Sequence, residues 1–353
     1  MTIFDIVTAE SLTAYFDNMP NTDTFMLEEL FPSKKQLSNK LAYIKGRRGA
    51  PIAIRASSYD ANVLPRSRQG FDKVETEIPF FKESIVIDEE LRQNLNMVLA
   101  TNNQEYIDSV LNEIFDDEIE LLRGARATRE KMRAQLISTG AISINNNGVA
   151  KDYDYGLEEW QKVTLSTATD KWSDTANSNP LEDLETWIST VKENTGSTPT
   201  RAIMATKTFN YIVKNENLRD SIYPLNGGTG IVTSAMAKEA IKNLTGLTVY
   251  TYDDVYYPEG TEKTKGATAS RYFPENVVTL LPGTILGYTR FGTTPEESDL
   301  LSSPNIANVK ITDVGVAVTT MKKADPVNVE TKVSQTVMPS FENGDKILIA
   351  TVA

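Results

Sequence analysis

The chain contains no cysteine and no histidine. Without cysteine there are no disulfides, no thiolate nucleophile and no sulfur-ligated metal. Without histidine the commonest general base and the commonest transition-metal ligand are missing too. Ser-His-Asp and Cys-His catalysis are excluded, which leaves carboxylate chemistry, lysine chemistry or none. Long apolar runs are also lacking: no stretch approaches the roughly eighteen residues that a bilayer-spanning helix requires. The first residues show no basic segment followed by an apolar one. The expectation is a soluble chain, with no membrane partner and no export signal.

What remains is ordinary in amount and unusual in arrangement. The 353 residues, 40% hydrophobic and 24% charged, suffice for a core divided into two or three modules. The net charge of −12 argues against wholesale nucleic-acid binding. That charge is unevenly spread. Lys34, Lys35, Lys40, Lys45, Arg47, Arg48 and Arg55 fall between Ser33 and Arg55 with no acid among them. This segment reads either as a solvated basic arm or as one that docks on an acidic surface.

The chain is organised around a helical stretch over 104–136. Ile107, Val110, Leu111, Ile114, Leu121, Ala125, Met132 and Leu136 recur at spacings of three and four, one stripe of a helix. Asp116, Asp117, Glu118 and Glu120 crowd its first half, and Arg123, Arg126, Arg129 and Arg133 its second, an order that suits the helix dipole. Gly124 allows a mild kink. At 1.5 Å per residue the helix would be about 50 Å long, so it is expected to cross the molecule as a spine. Its acidic half is a natural dock for a basic arm of another copy.

Residues 1 to about 40 read as an extended arm whose phenylalanines need a partner surface. Ala50 to Ile87 reads as a long two-stranded ribbon, with strands at 51–55 and 73–78 and a basic tip at Leu64-Pro65-Arg66-Ser67-Arg68-Gln69-Gly70. An isolated ribbon is marginal in water and its edges invite pairing, so it is read as an intermolecular arm. A short helix over 87–100 leads into the spine. A hairpin follows at 141–155, turning at Asn147-Gly148. Residues 157–179 read as loop. From Pro180 the pattern alternates between helix (181–192, 206–213, 235–244) and strand (201–205, 247–252, 277–281, 287–291), with Thr206 and Ser234 as caps and Gly246 as a terminator. Further strands cover 309–312, 314–321, 327–337 and 347–352.

No constellation carries catalysis. Gly227-Gly228-Thr229-Gly230 precedes a helix but lacks the lysine of a P-loop and the third glycine of a dinucleotide fingerprint. Consecutive Asp116, Asp117 and Glu118 point in different directions on a helix and cannot close on one cation. Asp152 and Asp154 read as turn residues. Asn243-Leu244-Thr245 is discounted as a glycosylation triplet. Arg66 and Arg68 are either solvated or bonded to a neighbour's carboxylates. No metal or other cofactor is expected. The investment in arms and ribbons that a monomer cannot satisfy points to a chain built to assemble.

The order of parts resembles the major capsid proteins of tailed bacteriophages, the lambda-like capsid protein E family. The stretches that carry the resemblance are Gly49-Ala50-Pro51-Ile52 to Arg66-Ser67-Arg68, Ile78-Pro79-Phe80 to Glu89, and Arg129 to Gly148. Arg201-Ala202-Ile203-Met204-Ala205-Thr206-Lys207-Thr208-Phe209, Tyr272-Phe273-Pro274-Glu275-Asn276 and Ala324-Asp325-Pro326-Val327 to Val352 add to it. Residues 256–269 and 293–308 do not match the family pattern.

The resemblance implies an α+β, HK97-like capsid fold: an N-terminal arm (1–48), an extended loop (49–87), a peripheral domain (88–189 and 322–353) with the spine helix, and an axial domain (190–321). It implies a non-enzymatic subunit that forms pentamers and hexamers of an icosahedral shell around double-stranded DNA. It also implies a scaffolding protein, a portal protein and often a decoration protein as partners. The location is the virion, assembled in the host cytoplasm. No built-in scaffold segment is evident, which favours a separate scaffold. Candidate inter-subunit contacts are Arg47, Arg48, Arg66, Arg68, Asp116, Asp117 and Glu118. The rival readings are an encapsulin-like nanocompartment shell and a carboxylate-based hydrolase. Arg66→Glu combined with Arg68→Glu is expected to weaken shell formation without unfolding the subunit; normal particles from that variant under the electron microscope would remove the ribbon-tip contact.

Overall fold

The computed structural model describes residues 6–18, 25–45, 72–87, 89–101, 104–146, 149–223, 230–258, 268–300, 307–324 and 327–353. The elements in chain order begin with α1 (Ala9–Asn18), β1 (Ser33–Lys35), β2 (Lys40–Lys45), β3 (Asp72–Glu77) and β4 (Phe80–Val86). The helices α2 (Glu89–Thr101) and α3 (Gln104–Thr139) follow, then β5 (Ala141–Asn146), β6 (Val149–Asp154) and β7 (Lys162–Thr164). Next come α4 (Pro180–Thr195), β8 (Arg201–Met204), α5 (Thr206–Lys214), α6 (Glu216–Ile222), α7 (Ser234–Thr245) and β9 (Thr248–Thr251). The last elements are β10 (Val255–Tyr256), β11 (Ser270–Arg271), β12 (Val277–Leu281), β13 (Thr289–Phe291), β14 (Asn308–Thr312), β15 (Val316–Ala324), β16 (Val327–Pro339) and β17 (Leu348–Thr351). The spine is α3, and it runs through Gly124 without interruption.

The chain divides into two units. The first comprises Met1–Ala42, Glu75–Lys131 and Tyr288–Ser340. Its sheet is built on β16, whose thirteen residues pair with β15 and β4 over most of their length and with β13 at the C-terminal end. β14 lies outside β15, and β1 runs parallel to β13. The segment expected to be a free arm is largely folded here. Leu27 and Phe31 are fully buried, Thr289 Oγ1 donates to the Phe31 carbonyl at 2.9 Å, and α1 packs on β14 and β15. The sequence neighbourhood hides this, because the strand that pairs with β1 lies near the other end of the chain. The expected ribbon is corrected in the same way. Its returning strand, β3, pairs with β2; the expected strand at 51–55 lies outside the described residues. The last part of the ribbon, β4, is a body strand bonded to β16.

The second unit comprises Tyr43–Val74, Met132–Gly287 and Phe341–Ala353. Its sheet has the order β7-β17-β12-β8-β9. β7 runs parallel to β17 and β9 parallel to β8, and the remaining pairs are antiparallel. Helices α4 to α7 cover it, with Leu184, Trp187, Val191, Phe209, Ile212, Leu218, Ala237 and Ile241 buried against Ala202, Met204, Val278, Leu280 and Leu348. Three boundaries expected from sequence shift as a result. β14 and β15, expected largely in the axial domain, belong to the unit that holds most of the spine. β17, expected in the peripheral domain, pairs with β12. α4, also expected there, buries its apolar stripe in the second unit's core.

Local chemistry explains the ends of the elements. Pro180 opens α4, and Gly196, at φ 70°, closes it, as the missing proline N–H and the missing glycine Cβ permit. Gly246 closes α7 as expected, but the N-cap is Thr233, whose hydroxyl accepts from Met236 N–H, rather than Ser234. Thr206 is the first residue of α5 rather than its cap. Its N–H and hydroxyl both donate to the Asp253 carboxylate, which also receives Arg271 at 2.8 Å. Residues 157–179 are not simply loop: they contain β7 and the fully buried Trp172, which stacks on Trp187 at 5.7 Å and donates to Asp183 at 2.8 Å. Asp152 sits within β6 opposite Ser143 rather than in a turn. Asp154 does serve a turn, accepting from Gly156 N–H at 2.9 Å.

Gln161 locks the last turn of the chain to this unit. Buried to 1% exposure, its side-chain amide donates to the carbonyls of Gly344 (2.7 Å) and Ile347 (2.9 Å), while its oxygen accepts from Glu158 N–H at 3.0 Å. Gln161→Leu fills the space and leaves these buried groups without partners, so it is expected to cost about 2–3 kcal/mol. Urea denaturation of the unassembled subunit, followed through Trp172 and Trp187, measures the loss.

Candidate functional site

Among the described residues, no group of three or more carboxylates could hold a metal, and no helix is long and apolar enough to cross a membrane. Of the glycine-rich loop only Gly230 is described. The polar chemistry of the first unit is concentrated where the spine helix meets the sheet.

There β14 and β15 pair as far as Thr312 and Val316, leaving Asp313, Val314 and Gly315 to turn the chain. Asp313 has φ 45° and Val314 φ 70°. The left-handed region is sterically poor for a β-branched residue and costs on the order of 1–2 kcal/mol. Gly315 is required because a Cβ there would lie 2.8–3.0 Å from the Phe291 side chain. The strained turn is held by what it delivers. Arg126 grips the Asp313 carboxylate with both arms, Nε at 2.8 Å and Nη2 at 2.9 Å, and Arg129 Nη2 reaches the same group at 2.8 Å. Each guanidinium is backed by a ring: Arg126 lies 4.6 Å from the centre of Phe16 in α1, and Arg129 lies 5.3 Å from that of Phe291. Gln335 of β16 completes the junction, accepting from Arg129 at 3.4 Å and donating to the Ala125 carbonyl at 3.0 Å. These arginines read from sequence as part of the basic half of the spine; in the structure they form an internal tie of the unit.

The acidic half divides in the same way. Asp116 is exposed and accepts from Tyr15 Oη at 3.2 Å. Asp117 lies on the same helix, and its side chain is outside the described set. Glu118 is 3% exposed and accepts from Thr331 Oγ1 of β16 at 2.8 Å. It is therefore corrected from an inter-subunit candidate to an internal bond, because its position on the helix faces the sheet. Glu130, fully buried, receives Leu27 N–H at 3.2 Å and so fixes the segment before β1. Glu296 receives Lys332 at 2.6 Å and Ser334 at 2.8 Å. Burial acts to raise its pKa, and these bonds bring it below the usual value. Arg47, Arg48, Arg66 and Arg68 lie outside the described residues.

Burial alone would push the Asp313 carboxyl upward, but Arg126 and Arg129 override it and hold the group at about 2. A depressed carboxylate adds stability above its unfolded value near 4 and loses it as the pH falls toward 2. The expected loss is on the order of 2 kcal/mol over that window. Asp313→Asn lacks this contribution. The stability gap between wild type and Asp313→Asn, read by urea denaturation at several pH values, should be widest above pH 5 and shrink below pH 4. A gap independent of pH would contradict the assignment.

Residues 8–352 match the family described as phage major capsid protein E. The comparison with curated proteins yields no match. Among solved structures, the chain is similar to a prophage protein of E. coli CFT073 described as a capsid protein, at 14% identity and TM-score 0.60, covering 98% of this chain and 99% of that one. It is similar to a phage-related protein from Bordetella bronchiseptica RB50, at 13% identity and TM-score 0.57, covering 98% of each chain. It is also similar to a chain of the cyanophage A-1(L) capsid, at 11% identity and TM-score 0.53, covering 100% of this chain and 99% of that one. These likenesses give the fold, α+β and HK97-like, and the family match gives the role: a structural subunit, not an enzyme, that self-assembles into the shell of a virion. The chain belongs to the phage major capsid protein E family.

Proposed function

We propose that many copies of this chain, arranged as pentamers and hexamers, close into an icosahedral shell that encloses the double-stranded DNA of a tailed phage without reading its sequence. The match to the capsid family over 8–352 carries this reading. Assembly takes place in the host cytoplasm with a separate scaffolding protein, and the finished shell joins a portal protein and accepts a decoration protein.

Within the shell, the basic stretch with Arg47, Arg48, Arg66 and Arg68 overlaps a neighbouring subunit. Asp116, exposed on the spine, is the acid it meets, with Asp117 beside it. The first unit takes the peripheral role and the second the axial one. Each interface needs to contribute only a few kcal/mol, because ring and shell closure multiply weak contacts.

The test is direct. The expressed chain, examined by negative-stain electron microscopy and sedimentation, should form megadalton shells or sheets of ring-like assemblies. A protein that stays a small, well-behaved oligomer at high concentration, with and without its scaffold, would defeat the proposal.

A further inference from the structure

A lone exposed leucine is ordinary on a protein surface. Leu37, 91% exposed, is distinguished by the backbone beneath it. Gln36 N–H donates to the Phe291 carbonyl at 2.8 Å. Thr293 Oγ1 donates to the Leu37 carbonyl at 3.3 Å. The Gln36 side chain spans the turn, donating to the carbonyls of Ser38 (2.7 Å) and Lys40 (3.0 Å). Lys40 N–H donates to Ser38 Oγ at 3.1 Å, and Ile78 N–H to the Asn39 carbonyl at 2.9 Å. Beneath the turn, a Cβ on Gly292 would lie 2.8 Å from Asn39 Oδ1 and 3.4 Å from the Ser38 carbonyl, so the turn is seated where only glycine leaves room. These bonds fix the backbone of Leu37 and of its neighbours, and none covers its side chain. An apolar group held rigid before contact loses little conformational entropy on binding.

The surroundings define the complement. Lys34 and Lys40 are exposed on either side in sequence, and Lys34 Nζ rests 5.3 Å from the centre of the Tyr288 ring. Lys35 is taken up by Glu297. An isobutyl group on a turn bracketed in sequence by two exposed lysines fits an apolar depression rimmed by carboxylates. A chain with net charge −12 presents acidic surface on every copy of itself, and the family is one of shells. We propose that Leu37 is an assembly knob that seats in an apolar, acid-rimmed depression of a second copy of this chain. The proposal rests on the shell reading.

The test compares wild type with Leu37→Asp, Leu37→Met and the pair Lys34→Glu with Lys40→Glu. Assembly is followed by light scattering, sedimentation and microscopy, and the fold of the subunit by urea denaturation. Leu37→Asp should raise the critical concentration for assembly about tenfold or more while leaving the urea midpoint unchanged. Leu37→Met should assemble like wild type, and the lysine pair should weaken assembly most at low salt. Equal assembly of wild type and Leu37→Asp overturns the knob and leaves the shell reading intact. A fallen urea midpoint in Leu37→Asp also overturns it, since the residue would then serve its own fold. A wild type that never assembles sinks the shell reading itself.

Discussion

One carboxylate shared by two guanidinium groups ties the spine helix to the sheet of the first unit. Asp313 is presented by a turn that its own backbone disfavours, and Arg126 and Arg129 make that conformation worthwhile. Take away the charge and the turn has no reason to hold Val314 in the left-handed region. Take away the turn and two arginines, one of them almost fully buried, face the sheet without their acid. Breaking one partner of such a cluster is far more costly than the net value of the intact set, because the survivors stay desolvated. The two rings behind the arginines connect the tie further: Phe16 brings in α1 and Phe291 brings in β13. Four segments distant in sequence therefore meet at one charge.

Periodicity made the long elements legible. The spine, the hairpin of β5 and β6, and strands β8, β9 and β12 stand within a few residues of where the sequence puts them, because each is decided by local pattern. What local pattern could not reveal is partnership at a distance. Glu118 sits among acids and reads as an inter-subunit contact; its partner, Thr331, is 213 residues away. Phe31 reads as a side chain awaiting a neighbour; the group bonded beside it, Thr289, is 258 residues away. The last strands, 327–337 and 347–352, read as parts of one domain, yet the chain leaves the first unit after Ser340 and β17 pairs with β12. Even the N-caps moved by one residue, since Thr233 and Ser234 are equally suitable types and only geometry separates them.

The candidate contact residues show the same division. A sequence can say that a helix is acidic along half its length, but not which acids face inward. With Glu118 in the interior, Asp116 is the acid among the described candidates that stands exposed on the helix. The surface that assembles and the interior that folds thus draw on the same residue types in one helix, sorted by the angle at which each leaves the axis.

The seam between β1, β13 and β16 has a consequence in time. It joins residues 33–35 to 289–291 and these to 337–339, so the ribosome must finish most of the chain before the seam can form. Contacts of such sequence separation are slow to find. Until β16 emerges, β4 has no strand to lie against, and the unpaired edges of the nascent polypeptide are open to copies emerging beside it. The growing chain is therefore most prone to wrong association just before it becomes capable of the right one, and the interval is set by translation speed rather than by any interaction within the finished fold.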